Sequence, residues 1–106
     1  MNIPKSVELA GITVNTIVNN ELVELKKIIG EAQYAQQQIM LDCKAAPREI
    51  TEQAFFHELV HWIFYIMNED EMRNNEKLVD LFSHLLYQAL KTGGFEVRQD
   101  MRVDIE

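Results

Sequence analysis

The spacing of apolar and polar positions divides the chain into a strand-rich first half and a helical second half. Residues 12–18 (ITVNTIV) are rich in β-branched side chains and predict a strand. Asn19-Asn20 marks a turn, and the following ELVELKKII is ambiguous between a short helix and an irregular connection ahead of Gly30. Residues 31–43 (EAQYAQQQIMLDC) predict a hairpin. In its second arm Ile39, Leu41 and Cys43 share one face, while Met40 and Asp42 take the other. Pro47 then precedes a helix over residues 52–67 (EQAFFHELVHWIFYIM). Thr51 is its candidate N-cap, with Ala54 three residues on and therefore no capping box, and a start near Arg48 fits equally well. This segment is apolar almost all the way round, the mark of an interior helix.

A polar link, NEDEMRNN, leads to a second helix at about 75–91, in which Leu78, Leu81, Phe82, Leu85 and Ala89 recur at helical spacing as an apolar stripe. Gly93-Gly94 stops it. The tail FEVRQDMRVDIE alternates Phe95, Val97, Met101, Val103 and Ile105 with charged neighbours, a strand pattern broken at Gln99. Such a strand would join the sheet, join a second subunit as a homodimer contact, or stay unordered. Core packing is assigned to Phe55, Phe56, Trp62, Ile63, Phe64, Leu81, Phe82 and Leu85, and Cys43 reads as a small buried hydrophobe.

Composition narrows the function classes. A length of 106 residues fits one domain over 1–106, and 47% hydrophobic with 25% charged residues is ordinary for a globular protein. Seventeen acidic residues against ten basic ones give a net charge of −7, which argues against nucleic-acid binding. A lone cysteine, Cys43, cannot form an internal disulfide, which suits a reducing compartment. The longest apolar stretch, Leu59–Met67, has nine residues and contains His61. A membrane span needs about 20. The N-terminal MNIPKSVELAG lacks the apolar region of a signal peptide. The expectation is a cytoplasmic protein that does not engage membranes.

The chemistry lies in His57-Glu58-Leu59-Val60-His61, an HExxH motif. Helix positions four apart lie one turn above each other on one face, so both imidazoles can point at one metal ion. Glu58, rotated about 100° from His57, reaches a water at that ion without ligating it, and a carboxylate there accepts the proton of a water whose pKa zinc lowers. The competing explanation is a helix whose histidines are satisfied by hydrogen bonds. A catalytic zinc needs three protein ligands and an open position. Glu76, Asp80 and His84 are spaced four apart on the next helix, and Glu76 follows His61 by 15 residues, enough for the chain to turn and return. Glu76 is taken as third ligand and Asp80 as the acceptor of a ligating histidine's outer N–H. His84 is the rival ligand; it and Tyr87 are also candidate donors to an oxyanion. A plain solvated helix face accounts for the same stripe.

AFFHELVHWIFYIM followed by EKLVDLFSHLLYQALK resembles the small phage and prophage zincin-like metallopeptidases related to the ImmA/IrrE group. HELVH matches fully, Glu76-Lys77-Leu78-Val79-Asp80 resembles the ExxxD arrangement of gluzincin sites, and Leu86-Tyr87-Gln88-Ala89-Leu90 resembles the closing stretch. The IMLDC strand is similar to the one that precedes the helix in that group. The likeness spans about residues 30–91. It implies an α+β, minimal zincin-like fold, with a small antiparallel sheet packed on two helices, the first carrying HExxH. It also implies a zinc-dependent hydrolase acting on a peptide or protein. There is no Glu-x-Glu-Ala-Asn element, since Leu78 stands where the second glutamate would be.

The expected function is therefore a zinc metallopeptidase, with His57, His61 and Glu76 on the metal and Glu58 as base. A substrate peptide would add as a strand, along the Ile39–Cys43 arm. The alternatives are a zinc-binding interaction module without turnover, and a metal-free scaffold pairing through its C-terminal strand.

Overall fold

In the computed structural model, residues 2–95 and 97–105 are described. The chain runs β1 (Ser6–Leu9), β2 (Ile12–Val18), α1 (Leu22–Lys26), β3 (Gly30–Gln33), β4 (Gln38–Leu41), α2 (Arg48–Ile66), α3 (Asp70–Arg73) and α4 (Glu76–Thr92), then a single 3-10 turn at Gln99–Met101. The class is α+β, as expected. The sheet, however, is mixed rather than antiparallel, with strand order β1-β2-β4-β3.

Ala10 and Gly11 both have positive φ, 51° and 82°, which gives the tight turn that folds β1 back on β2 with Leu9 opposite Ile12. The chain then leaves β2 through α1 and returns as the β3–β4 hairpin. That return sets β4 parallel to β2, with Ile39 beside Thr16 and Leu41 beside Val18. β4 is therefore an interior strand flanked on both sides, and the expected docking of a peptide on the Ile39–Cys43 arm is corrected: that arm has no free edge. β3 is the exposed edge next to the helices.

Ile39, Leu41 and Cys43 are buried on one face, as their alternation predicts. Asp42 is buried too, because its carboxylate accepts N–H groups from Val23, Lys44 and Ala45 at 3.2, 3.0 and 3.0 Å. Helix α2 starts at Arg48 with Pro47 in the cap position, so Thr51 lies in its first turn rather than capping it. It packs over the sheet, burying Phe55, Phe56 and Trp62 with Val14, Ile39 and Leu41. The Trp62 indole N–H donates to the Gln38 carbonyl at 3.0 Å and pins α2 to β4. Asn75 caps α4, its side chain accepting from the Leu78 N–H at 3.0 Å.

One expectation about packing is corrected. The face of α4 turned to α2 carries Val79, Ser83 and Tyr87, all buried, while Leu81, Phe82 and Leu85 are 58%, 47% and 59% exposed. Glu76, Asp80, Ser83 and Tyr87 share one side of the helix at 100° per residue, so turning the acidic pair toward α2 turns the leucine stripe outward. Of the remaining residues assigned to packing, Phe55, Phe56, Trp62 and Phe64 are buried and Ile63 is half-buried.

The described part of the tail forms no strand. Val103 donates its N–H to the Ile3 carbonyl at 2.8 Å, Arg102 bridges Pro4, and Val103 and Ile105 pack on the core. The described part of this segment is thus used within the chain. No helix among the described residues is long and apolar enough to cross a membrane.

Candidate metal centre

His57 and His61 lie one turn apart on α2, with ring centroids 5.0 Å apart. Both turn Nε2 toward the carboxylate of Glu76 at the first position of α4. The Nε2–oxygen distances are 3.1 Å from His57 and 2.9 Å from His61. One ligand atom from each of the three residues lies within 4.8 Å of the others. Imidazole and carboxylate ligands about 2.1 Å from a tetrahedral zinc stand about 3.4 Å from one another, so three ligand atoms within 4.8 Å of each other could hold a divalent ion.

The outer ring nitrogens are also engaged. His57 Nδ1 lies 3.5 Å from Asp80 Oδ1, one turn beyond Glu76 on the same face of α4. The His61 ring meets the backbone of Arg73 at the end of α3. Such outer partners fix the ring orientation of a metal-ligating histidine. Burial holds the His61 pKa below the ordinary histidine value, opposed by Glu76 and the Arg73 backbone, which favours the neutral ring that ligates metals.

Glu58 points the other way round α2, under the edge strand. Its Oε1 accepts the Ala32 N–H at 3.0 Å. Asp42 N–H donates to the Ile29 carbonyl, so antiparallel alternation turns the backbone of Ile29, Glu31 and Gln33 toward β4 and that of Gly30 and Ala32 outward. Glu58 thus sits where the open edge of β3 meets the histidines. Burial pushes its carboxyl up to about 7, opposed by His57 and the Ala32 N–H and reinforced by Glu76 and Glu31. A shallow groove runs past the site on both sides: one half is lined by Lys27, Ile50, Gln53 and His84, the other by Tyr34, Arg73 and Asn74, with His57 and Glu58 between them.

Of the residues singled out in the sequence, His57, Glu58, His61, Glu76 and Asp80 come together. His84 does not join the three-residue group: it is half exposed, with Nε2 3.9 Å from Asp80 Oδ1. Tyr87 is not available as an oxyanion donor, because it is buried and its hydroxyl donates to Glu52 at 2.6 Å. Sequence reading missed Gly30. A β-carbon there would stand 3.1 Å from Glu58 Cγ and 3.1 Å from Leu41 Cδ2, so its absence makes room for the glutamate. It also missed Arg73, whose link to the site is tertiary and leaves no spacing signal.

No family model, curated protein or solved structure matches the chain.

Proposed function

We propose that this protein is a zinc-dependent peptidase of gluzincin arrangement on a minimal zincin-like scaffold. His57, His61 and Glu76 would hold the ion, Asp80 would orient His57, and Glu58 would act as general base. The observation that carries this reading is the approach of both Nε2 atoms and the Glu76 carboxylate to one point, with Glu58 on the adjoining turn of the same helix. Histidines satisfied merely by hydrogen bonds need no third residue shared between them and no carboxylate beside it.

A bound ion supplies Lewis acidity toward a water and toward a carbonyl oxygen. The rest falls to the chain. An extended peptide pairs along β3 through the outward backbone of Gly30 and the Ala32 carbonyl, the Ala32 N–H being held by Glu58, so that its scissile bond lies over α2. Glu58 takes the proton of the attacking water and returns it to the departing amine. Its partly buried position beneath the strand strengthens its interaction with those protons. A cytoplasmic setting and the kinship with phage-type peptidases belong to the same reading.

One observation favours a second reading, a zinc-binding interaction module without turnover: the exposed Leu81, Phe82 and Leu85 on α4. Incubating zinc-loaded protein with a mixed peptide library and following cleavage by mass spectrometry separates the two. The peptidase reading expects cleavage that falls about 100-fold or more in Glu58→Gln with zinc retained. Zinc bound stoichiometrically with no cleavage in the wild type would favour the module.

A further inference from the structure

The half of the groove beyond His61 is lined by Glu31, Ala32, Tyr34, Arg73, Asn74 and Glu76 among others, and Arg73 is the one arginine or lysine in that lining among the described residues. Its guanidinium lies 5.3 Å from the Tyr34 ring centroid and 5.8 Å from that of Tyr65. Those rings stack on each other at 4.2 Å and 17°, and Tyr34 meets buried Trp62 edge-on at 5.1 Å. The cation is therefore fixed by an aromatic stack rooted in the core. It costs little further side-chain entropy to engage a ligand.

Part of its hydrogen-bonding capacity is already spent, since the guanidinium is hydrogen-bonded to the Tyr34 side chain. Nε is buried and has no partner among the described residues. Nη2 reaches Asp70 Oδ1 at 3.3 Å, on an aspartate that is 72% exposed, a pairing that contributes little in water. Nearby negative charges are committed elsewhere: Glu31 to Lys26 at 3.1 Å, and Glu76 to the two histidines. A planar guanidinium held in the groove beside the Tyr34 hydroxyl, its one carboxylate pair being with an exposed aspartate, is suited to capture of a carboxylate through its exposed nitrogens.

We propose that Arg73 is a specificity-determining residue that binds a carboxylate of the peptide in the groove, with the Tyr34 hydroxyl beside it as a second donor. The inference rests on the metallopeptidase reading above. The carboxylate belongs either to the peptide's C-terminus or to an acidic side chain.

Four probes test it on the zinc-loaded full chain by calorimetry: Leu-Glu and Leu-Gln carrying an N-terminal succinyl hydroxamate, each with a free or an amidated C-terminus. At least one carboxylate-bearing probe is expected to bind about tenfold tighter than the doubly neutral one. The free-acid arm identifies a terminal carboxylate and the Glu arm a side chain. In Arg73→Gln that ratio falls to near one, and in Arg73→Lys, which keeps the charge but loses the fork, it takes an intermediate value. Zinc stoichiometry and circular dichroism verify that both variants are folded. A ratio near one in the wild type, an unchanged ratio in Arg73→Gln, or equal weakening of all four probes in that variant would overturn the proposal while leaving the zinc site standing. Failure of the wild type to bind zinc or any hydroxamate would remove the metallopeptidase reading, and the proposal with it.

Discussion

Gly30 and Glu58 fit together as strand and base: the glutamate's Cγ lies 3.1 Å from where a β-carbon on Gly30 would stand. That is close enough for an added methyl group to force a movement of a few tenths of an ångström. Because the atoms that the added methyl would meet belong to the Glu58 and Leu41 side chains and to none of the metal-ligand candidates, the movement would be felt first at Glu58. Gly30→Ala is expected to lower kcat by about tenfold while leaving zinc affinity unchanged. Parallel kinetics and zinc titration check it; loss of zinc affinity equal to the loss of kcat would contradict it.

His57 Nδ1 lies 3.5 Å from Asp80 Oδ1, and the orienting role proposed for Asp80 is measurable without turnover. Asp80→Ala is expected to weaken zinc binding about 10- to 100-fold by freeing the His57 ring. His84→Ala, which removes a ring outside the three-residue group, is expected to leave the affinity within about twofold of the wild type. Competition with a chromogenic chelator reads both.

Tyr87 and Glu52 form a buried pair joining α4 to α2, with Arg48 Nε donating to the same carboxylate at 3.2 Å. Tyr87→Phe removes the hydroxyl that donates to that buried carboxylate and is expected to cost about 1–3 kcal/mol of stability. The specific activity of the folded fraction is expected to stay unchanged. A selective loss of kcat in a fully folded Tyr87→Phe protein would restore the tyrosine to the site.

The two faces of α4 respond differently to substitution. Val79→Ala opens a cavity between α2 and α4 and is expected to cost about 2 kcal/mol. Leu81→Ser and Leu85→Ser, on the solvent side, are expected to change stability by about 0.5 kcal/mol or less. Urea denaturation distinguishes them.

The expectations that failed do so for identifiable reasons. HELVH was legible because its register is purely local: four residues on a helix put two imidazoles on one face whatever the tertiary context. The Glu76 and Asp80 spacing was legible for the same reason. Which face of α4 turns inward was not, because hydropathy favours Leu81, Phe82 and Leu85, while the approach of Glu76 and Asp80 to the histidines demands the other side. The sheet order depends on the short crossover through α1, and β1 has only four residues (SVEL), too few for alternation to stand out. The tail alternates as a strand does, yet Val103 and Ile105 pack on the core that contains Ile3 while Phe95 and Met101 are exposed.

Acid sensitivity follows from Asp42. Burial pushes its pKa up, but the N–H groups of Lys44, Val23 and Ala45 outweigh it and hold the carboxyl below its ordinary value. A carboxyl depressed in the folded state contributes stability that is fully present above its unfolded pKa of about 3.9. That contribution is lost as pH falls through the folded value. Stability should therefore drop below about pH 4, and Asp42→Ala should be less stable at neutral pH by about 2 kcal/mol with a flatter acid limb. Thermal unfolding at pH 3 to 7 reads the difference.

The most direct test of the whole account is zinc titration of the untagged, chelator-treated chain beside Glu76→Ala. The expected result is one zinc per wild-type chain, with affinity greatly weakened in the variant. A folded wild type that binds no zinc, or a Glu76→Ala chain that binds it as tightly as the wild type, would contradict the site built from His57, His61 and Glu76.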